Sequence, residues 1–399
     1  MSIQKTHLEF FAGIGLVHDA LKKTGWRCIY ANDIDPKKRE MYEKHFGSSS
    51  HYHECDVWDT DAVLERINET PFLATASFPC TDMSLAGHMR GFKGTQSSAY
   101  FGFVHAIEAL GARKPKMLLL ENVTGFLHSR RGKDFASAVG KLADLGYWLD
   151  SFVVDAKYFV PQSRQRLFIV GYHHSIARGP ILRNNQKRLF DDVWHPAISR
   201  SAAIRPSNLR DIMNGLNLAT GWATIDSGQP IQRRYSLLDF LENHKGLEWW
   251  TRANVSRHLS MLSDLHREKL KSVKTQDCNR QVFTAFRRVR AGELRTEIRF
   301  DGIAGCLRTP RGGSAKQIVV QVQDGKVDMR WMTPREYANL QGAPDFNLPA
   351  NTIQGLFGFG DGICVPVVEW IDEHMLTPAF CAAKTHKPPS RNARSILTR

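Results

Sequence analysis

The first 170 residues alternate between short apolar runs and helical patterns, and this rhythm limits the fold more than any other feature. The runs are Leu8–Phe11, Cys28–Ala31, Leu73–Phe78, Met117–Leu120, Phe152–Val154 and Leu167–Val170. Each has the length of a buried strand rather than of a buried helix. Helical patterns separate them at Pro36–His45, Asp59–Ile67, Phe101–Leu110 and Asp134–Leu145. Such alternation predicts an α/β fold, a doubly wound and mostly parallel sheet with helices on both faces. Only Asp155–Arg166, with Pro161 inside, lies between the last two runs. No crossover helix fits there, so one terminal strand is expected to be antiparallel.

From about Tyr172 the rhythm breaks, punctuated by Pro180, Pro196, Pro206 and Pro230. One strong helical pattern remains, Val255–Val273, with Leu259, Leu262, Leu265 and Leu270 on one face. Trp222, Trp249 and Trp250 have no strand spacing and read as core residues. The alternation resumes at Trp331, with helices expected at Pro334–Gln341 and Val365–Met375. The expected division is a catalytic and cofactor-binding domain at 1–171, an inserted smaller domain at 172–330, a return segment at 331–383 and a basic, disordered tail at 384–399.

Charge singles out the insertion. The chain carries a formal net charge of +14. Residues 171–330 hold 27 Lys and Arg against 15 Asp and Glu, whereas the rest of the chain holds 27 against 25. A basic excess confined to one block suits a polyanion such as nucleic acid; a solvated basic face is the alternative. Seven scattered cysteines without a Cys-x-x-Cys pair point to reduced thiols and a cytoplasmic protein, and away from a structural zinc site. Neither a membrane span nor a secretory signal is expected.

Candidate chemistry collects at strand ends. In a doubly wound sheet, ligands bind in the crevice outside the carboxyl ends of the strands. Pro79-Cys80 closes the run that ends at Phe78, and Glu121-Asn122 closes the run Met117–Leu120. A thiolate nucleophile and a proton donor can therefore face one ligand. Phe11-Ala-Gly13-Ile14-Gly15 follows the first strand and lets backbone amides approach a ligand. Asp33 ends the second strand, where it can accept from ribose hydroxyls, while Asp35 before Pro36 reads as a helix N-cap. Asp56 ends a third strand. No third glycine follows Gly15, which disfavours a nicotinamide or flavin dinucleotide.

Six motifs in order resemble the cytosine-C5 DNA methyltransferase family. They are Phe11-Ala-Gly-Ile-Gly15, Phe78-Pro-Cys-Thr81, Glu121-Asn-Val123, Gln162-Ser-Arg-Gln-Arg166, Arg335-Glu-x-x-x-Leu-Gln-Gly342 and Gly360-Asp-Gly-Ile363. The resemblance covers most of residues 7–171 and 331–375, and the basic insertion stands where that family carries its target-recognition domain. It implies S-adenosylmethionine as cofactor, held by Phe11, Gly13, Ile14, Gly15, Asp33, Ile34, Asp56, Val57, Pro79, Asp361, Gly362 and Ile363. It further implies that Cys80 adds to C6 of a flipped-out cytosine in double-stranded DNA, that Glu121 works at N3, and that Arg164 and Arg166 orient the base and a neighbouring phosphate. No metal is implied.

The stretch Thr81–Ser98, with Gly87, Gly91 and Gly94 among cations, suits a loop closing over DNA. Ser84, Arg90, Lys93, Gln162, Arg308 and Arg311 are the expected DNA contacts, with the last two reading a guanine edge or holding phosphate. Thr81, Ile34, Asp361-Gly362 and Cys306 depart from the family's usual residues. The implied protein is a monomer of a modification system, with a companion restriction endonuclease as its kind of partner. An RNA cytosine methyltransferase, a catalytically silent DNA-binding module and, more distantly, a nicotinamide dehydrogenase are the other readings.

Overall fold

A computed structural model of the chain describes residues 3–79, 99–185, 196–197, 200–232, 235–275, 280–311 and 315–385. The apolar runs form strands β1 (Thr6–Phe10), β2 (Arg27–Asp33), β3 (Tyr52–Glu54), β4 (Leu73–Ala76), β5 (Met117–Val123), β6 (Tyr147–Asp155) and β7 (Gln165–His173). Two three-residue strands, β8 (Leu182–Asn184) and β9 (Trp222–Thr224), extend the same sheet, whose order is β3-β2-β1-β4-β5-β7-β6-β9-β8. The β1–β2, β2–β3, β1–β4 and β4–β5 pairings are parallel.

As the short Asp155–Arg166 link required, β7 is antiparallel and fits between β5 and β6. All residues of β1 and β4 are buried, as expected of strands covered on both faces. The chain leaves β1 for β2 and β3, then returns to the other side of β1 as β4. The switch point therefore lies between β1 and β4, where an open α/β sheet has its ligand crevice.

The predicted helices occupy Pro36–Phe46, Thr60–Arg66, Ala99–Ala109 and Lys133–Asp144. The single helix expected at Val255–Val273 is two, Arg252–Ser260 and Asp264–Thr275. Between them the backbone turns to pair with a strand: Leu262 bridges Thr296, and the Thr296 amide donates to the Met261 carbonyl at 3.1 Å. These helices cover a second sheet of β10 (Gln281–Arg290), β11 (Glu293–Arg299), β12 (Ile318–Gln323) and β13 (Lys326–Trp331), in the antiparallel order β11-β10-β12-β13. Its core is Val255, Leu262, Leu270, Phe283, Ile318, Val320 and Met329.

The chain re-enters the main body at Thr333, whose side chain and Glu336 form a reciprocal cap on the helix Pro334–Leu340. The helix expected at Val365–Met375 is α-helical only to Ile371, then π-helical over Asp372–Leu376, and continues as Thr377–Thr385. This segment docks on the start of the chain: Trp26 Nε1 donates to Asp372 Oδ1 at 2.8 Å, and Phe380 packs edge-on against Phe72. Among the described residues, no helix is long and apolar enough to cross a membrane.

Candidate active site

Four adjacent strand ends, those of β3, β2, β1 and β4, open on the switch point. After β1 the chain turns through three left-handed residues, Phe11 (φ 56), Gly13 (φ 57) and Gly15 (φ 82). The Phe11 conformation is unfavourable for an aromatic residue and marks a backbone held by its surroundings. Asp33 does the holding: Oδ2 accepts the Gly13 amide at 3.0 Å and Oδ1 accepts the Asp35 amide at 3.1 Å. Each carboxylate oxygen keeps a further lone pair for a ligand hydroxyl. Asp35 is the N-cap, accepting the Lys37 amide at 2.9 Å.

Lys38, which the sequence did not single out, stands between two of these acids. Its Nζ lies 3.8 Å from Asp33 Oδ2 and 3.7 Å from Asp361 Oδ2. Burial alone would push its ammonium down, but Asp33 and Asp361 outweigh this and raise it. Charge pairing across more than three hundred residues leaves no local signal in a sequence.

The other cofactor candidates separate by exposure. Asp56 is exposed and accepts the Trp58 amide at 3.0 Å, while Val57 is buried beneath the helix bearing Gly102. Ile34 is 69% exposed at the end of β2, so an apolar side chain waits beside the acids without protein cover. The Ile14 side chain is buried against Gly358 and packs in the core, while its backbone forms part of the turn. Ile363 is also buried. Gly362 lets the last segment approach, since a Cβ there would lie 2.6 Å from Leu16 Cδ1.

Across the switch point, the Asn122 side-chain amide donates to the Phe78 carbonyl at 3.3 Å and ties the end of β5 to the end of β4. Exposed Pro79 follows. Cys80, Ser84, Arg90 and Lys93 lie outside the described residues. Glu121 and Arg166 form a pair, Nε to Oε1 at 2.9 Å, with side chains 14% and 16% exposed. They come from neighbouring strands, Arg166 standing opposite Val123 and therefore diagonal to Glu121.

Two residues of the Gln162–Arg166 motif, Arg164 and Gln162, turn into the protein. The Arg164 guanidinium is buried and donates to the carbonyls of Leu307 at 2.8 Å, Gly362 at 2.6 Å and Gly360 at 3.4 Å. Burial lowers its pKa from the usual guanidinium range. Gln162 is fully buried, donating to the Leu340 carbonyl at 2.7 Å and accepting the Leu307 amide at 3.2 Å, so it has no face for DNA. Both residues clamp the segment around Leu307 and the segments around Leu340 and Gly362 onto the main sheet.

Cys306 is the residue whose place in the site the sequence did not reveal. Its Sγ lies 3.5 Å from Arg164 Nη1. Burial pushes the thiol up, but Arg164, Arg166 and Arg308 outweigh burial and bring it below the ordinary thiol range. Its only sequence signal is that it replaces a frequent threonine.

Arg308 and Arg311 are exposed beside this segment. The basic excess of the insertion is not all free: Arg205 and Arg330 are buried and paired with Asp150 and Glu336. The segment bearing Arg308 passes close over the helix Thr352–Asp361. A Cβ at Gly360 would lie 2.6 Å from the Arg308 carbonyl carbon and from the Thr309 amide nitrogen. Backbone cannot swing aside as a side chain can. Gly360→Ala is therefore expected to cost roughly 1–3 kcal/mol by overpacking. The check is a urea midpoint that falls while the m-value stays constant.

Residues 6–377 match the family model described as C-5 cytosine-specific DNA methylase. The chain is 26% identical over 385 residues to Type II methyltransferase M.HpaII of Haemophilus parainfluenzae, covering 91% of this chain and 87% of that protein. It is 24% identical over 378 residues to Type II methyltransferase M.DsaV of Dactylococcopsis salina, covering 94% and 86%. The fold is also that of the Entamoeba histolytica methyltransferase EhMeth, with a TM-score of 0.60 at 13% identity, covering 94% of this chain and 99% of that one.

Proposed function

The chain belongs to the C-5 cytosine-specific DNA methylase family, and from that membership we propose that it methylates C5 of a flipped-out cytosine in a specific short sequence of double-stranded DNA, with S-adenosylmethionine as donor. The observation that carries this reading is the Glu121–Arg166 pair at the end of β5, across the switch point from the glycine turn pinned by Asp33.

The residues at the four strand ends fit S-adenosylmethionine. Asp33 retains acceptor capacity for the ribose hydroxyls. Asp56 offers an exposed carboxylate to the adenine amino group, and Ile34 offers an uncovered apolar face. Half-buried Phe11 lies beside the turn. When bound, the cofactor supplies an electrophilic sulfonium methyl.

Cytosine C5 is a weak nucleophile, and the remaining groups address that. The Cys80 thiolate forms a bond to C6 and pushes electron density to C5. Glu121 shares a proton with N3, which draws charge from the ring as the thiolate adds. Arg166 holds Glu121 in place and turns its guanidinium edge toward the base carbonyl. Arg164 and Gln162 are positioning residues, fixing the segment around Cys306–Arg308. After C5 takes the methyl group, its proton leaves to solvent and the C6–S bond breaks, restoring the thiolate. A base inside a duplex is out of reach of such a site, so the cytosine must leave the stack. Arg308, Arg311 and the basic insertion hold the backbone around it.

The test is transfer of a labelled methyl group from S-adenosylmethionine to duplex DNA and, in parallel, to transfer RNA. Label on duplex DNA cytosine, falling as salt rises, is the expected result. Label confined to RNA would overturn the DNA assignment, and label on neither would overturn the activity.

A further inference from the structure

Beneath the glycine turn lies a buried cluster that the methyl-transfer reaction does not use. His7 on β1, His18 on the helix Leu16–Leu21 and Cys28 on β2 bring one ligand atom each to within 4.8 Å of one another. His7 and Cys28 are direct partners in the parallel register, and the His7 and His18 rings lie 5.6 Å apart between centroids. Four atoms here are buried without a hydrogen-bond partner among the described residues: both ring nitrogens of His7, Nδ1 of His18 and Oε2 of Glu9. Orphaned buried polar atoms are rare in folded proteins, because each one costs about 1–3 kcal/mol. Four such atoms on His7 and Glu9 of β1 and on His18 of the first helix mark a missing partner.

From this geometry we propose that His7, His18 and Cys28 bind a divalent transition-metal ion of the zinc class. Two imidazoles and a thiolate are a borderline-soft donor set suited to zinc. The fourth position is left to water.

The Cys28 thiol, which donates to the Tyr30 carbonyl at 3.4 Å, would lose its proton to solvent on binding, and the Glu9 carboxylate, which accepts the His18 amide at 3.4 Å, would balance the second charge. The surrounding groups are His51, whose Nε2 is 2.9 Å from the Tyr42 hydroxyl, and Asp19, held by Lys22 and His45. The site would pin β1, β2 and the first helix directly below the turn Phe11–Gly15.

Co(II) titration of the metal-free, untagged full chain tests this. One equivalent per chain is expected, with thiolate-to-cobalt charge-transfer absorption. Cys28→Ser should abolish that absorption and His18→Gln should weaken binding at least tenfold, whereas Cys80→Ser should leave both unchanged. Should the buried variants fail to fold, X-ray absorption of the zinc-loaded native chain decides. It should fit one sulfur at about 2.3 Å and nitrogens at about 2.0 Å. Absence of stoichiometric binding, absorption that survives Cys28→Ser, or a zinc shell without sulfur would each overturn the proposal.

Discussion

Glu121→Gln is expected to lower the single-turnover rate of methyl transfer by about 10²–10⁴-fold, the range for loss of a positioned proton donor. Glutamine keeps the length of the side chain and can still hydrogen-bond a ring nitrogen. It cannot share a proton with N3 as a carboxyl does, and it removes the charge that holds Arg166 at 2.9 Å. The pair sits at a strand end and is partly solvated, so the fold should survive with a thermal midpoint close to wild type. Cofactor affinity should also persist, because the Asp33 turn is built on β1 and β2 rather than on β5. A variant that transfers methyl within tenfold of the wild-type rate would remove Glu121 from the chemistry.

The largest expected effect on stability lies away from the site, at Asp150 and Arg205. Asp150 on β6 is fully buried, and Arg205 is 1% exposed. The guanidinium donates from Nη2 to Oδ2 at 2.6 Å and from Nε to Oδ1 at 3.3 Å, and Thr224 Oγ1 donates to the same carboxylate at 2.8 Å. Removing one partner strands the other charge in the interior. Asp150→Ala should destabilise the protein by about 3–5 kcal/mol. That is a large part of the roughly 5–15 kcal/mol that holds an ordinary domain folded. Replacing the pair together with Leu and Met should recover most of the loss, because the cost lies in the unpaired charge rather than in the lost attraction. Urea unfolding of the two single variants and the double variant measures the coupling. Additive losses would mean that the pair does not act as a unit.

The parallel sheet was legible because each strand is a short apolar run between helical patterns, and periodicity survives in such segments. Strands β8 and β9 were not legible, since three residues cannot show an alternation. The break after Ser260 was hidden for a different reason: Leu262 has helical spacing, yet its backbone is used by a bridge to Thr296. The strand-end places of Asp33, Asp56 and Glu121 were readable, because each follows or closes a short strand. Arg164 and Arg166 look equivalent by strand alternation, but Arg164 precedes β7. Its amide donates to Asp155 Oδ1 at 2.8 Å, which turns the chain and sends the guanidinium inward. Lys38 and the His7–His18–Cys28 cluster were invisible because their partners meet only through the fold.

The central claim is a covalent bond between Cys80 and cytosine C6, and 5-fluorocytosine tests it directly. Fluorine at C5 cannot leave as a proton does, so a methylated adduct should stall before the C6–S bond breaks. Duplex DNA carrying 5-fluorocytosine, incubated with the enzyme and S-adenosylmethionine, should yield a denaturation-resistant protein–DNA complex. Peptide mapping should place the link at Cys80, and Cys80→Ser should form no complex. A wild-type enzyme that forms none, or a Cys80→Ser variant that still forms one, would contradict the account.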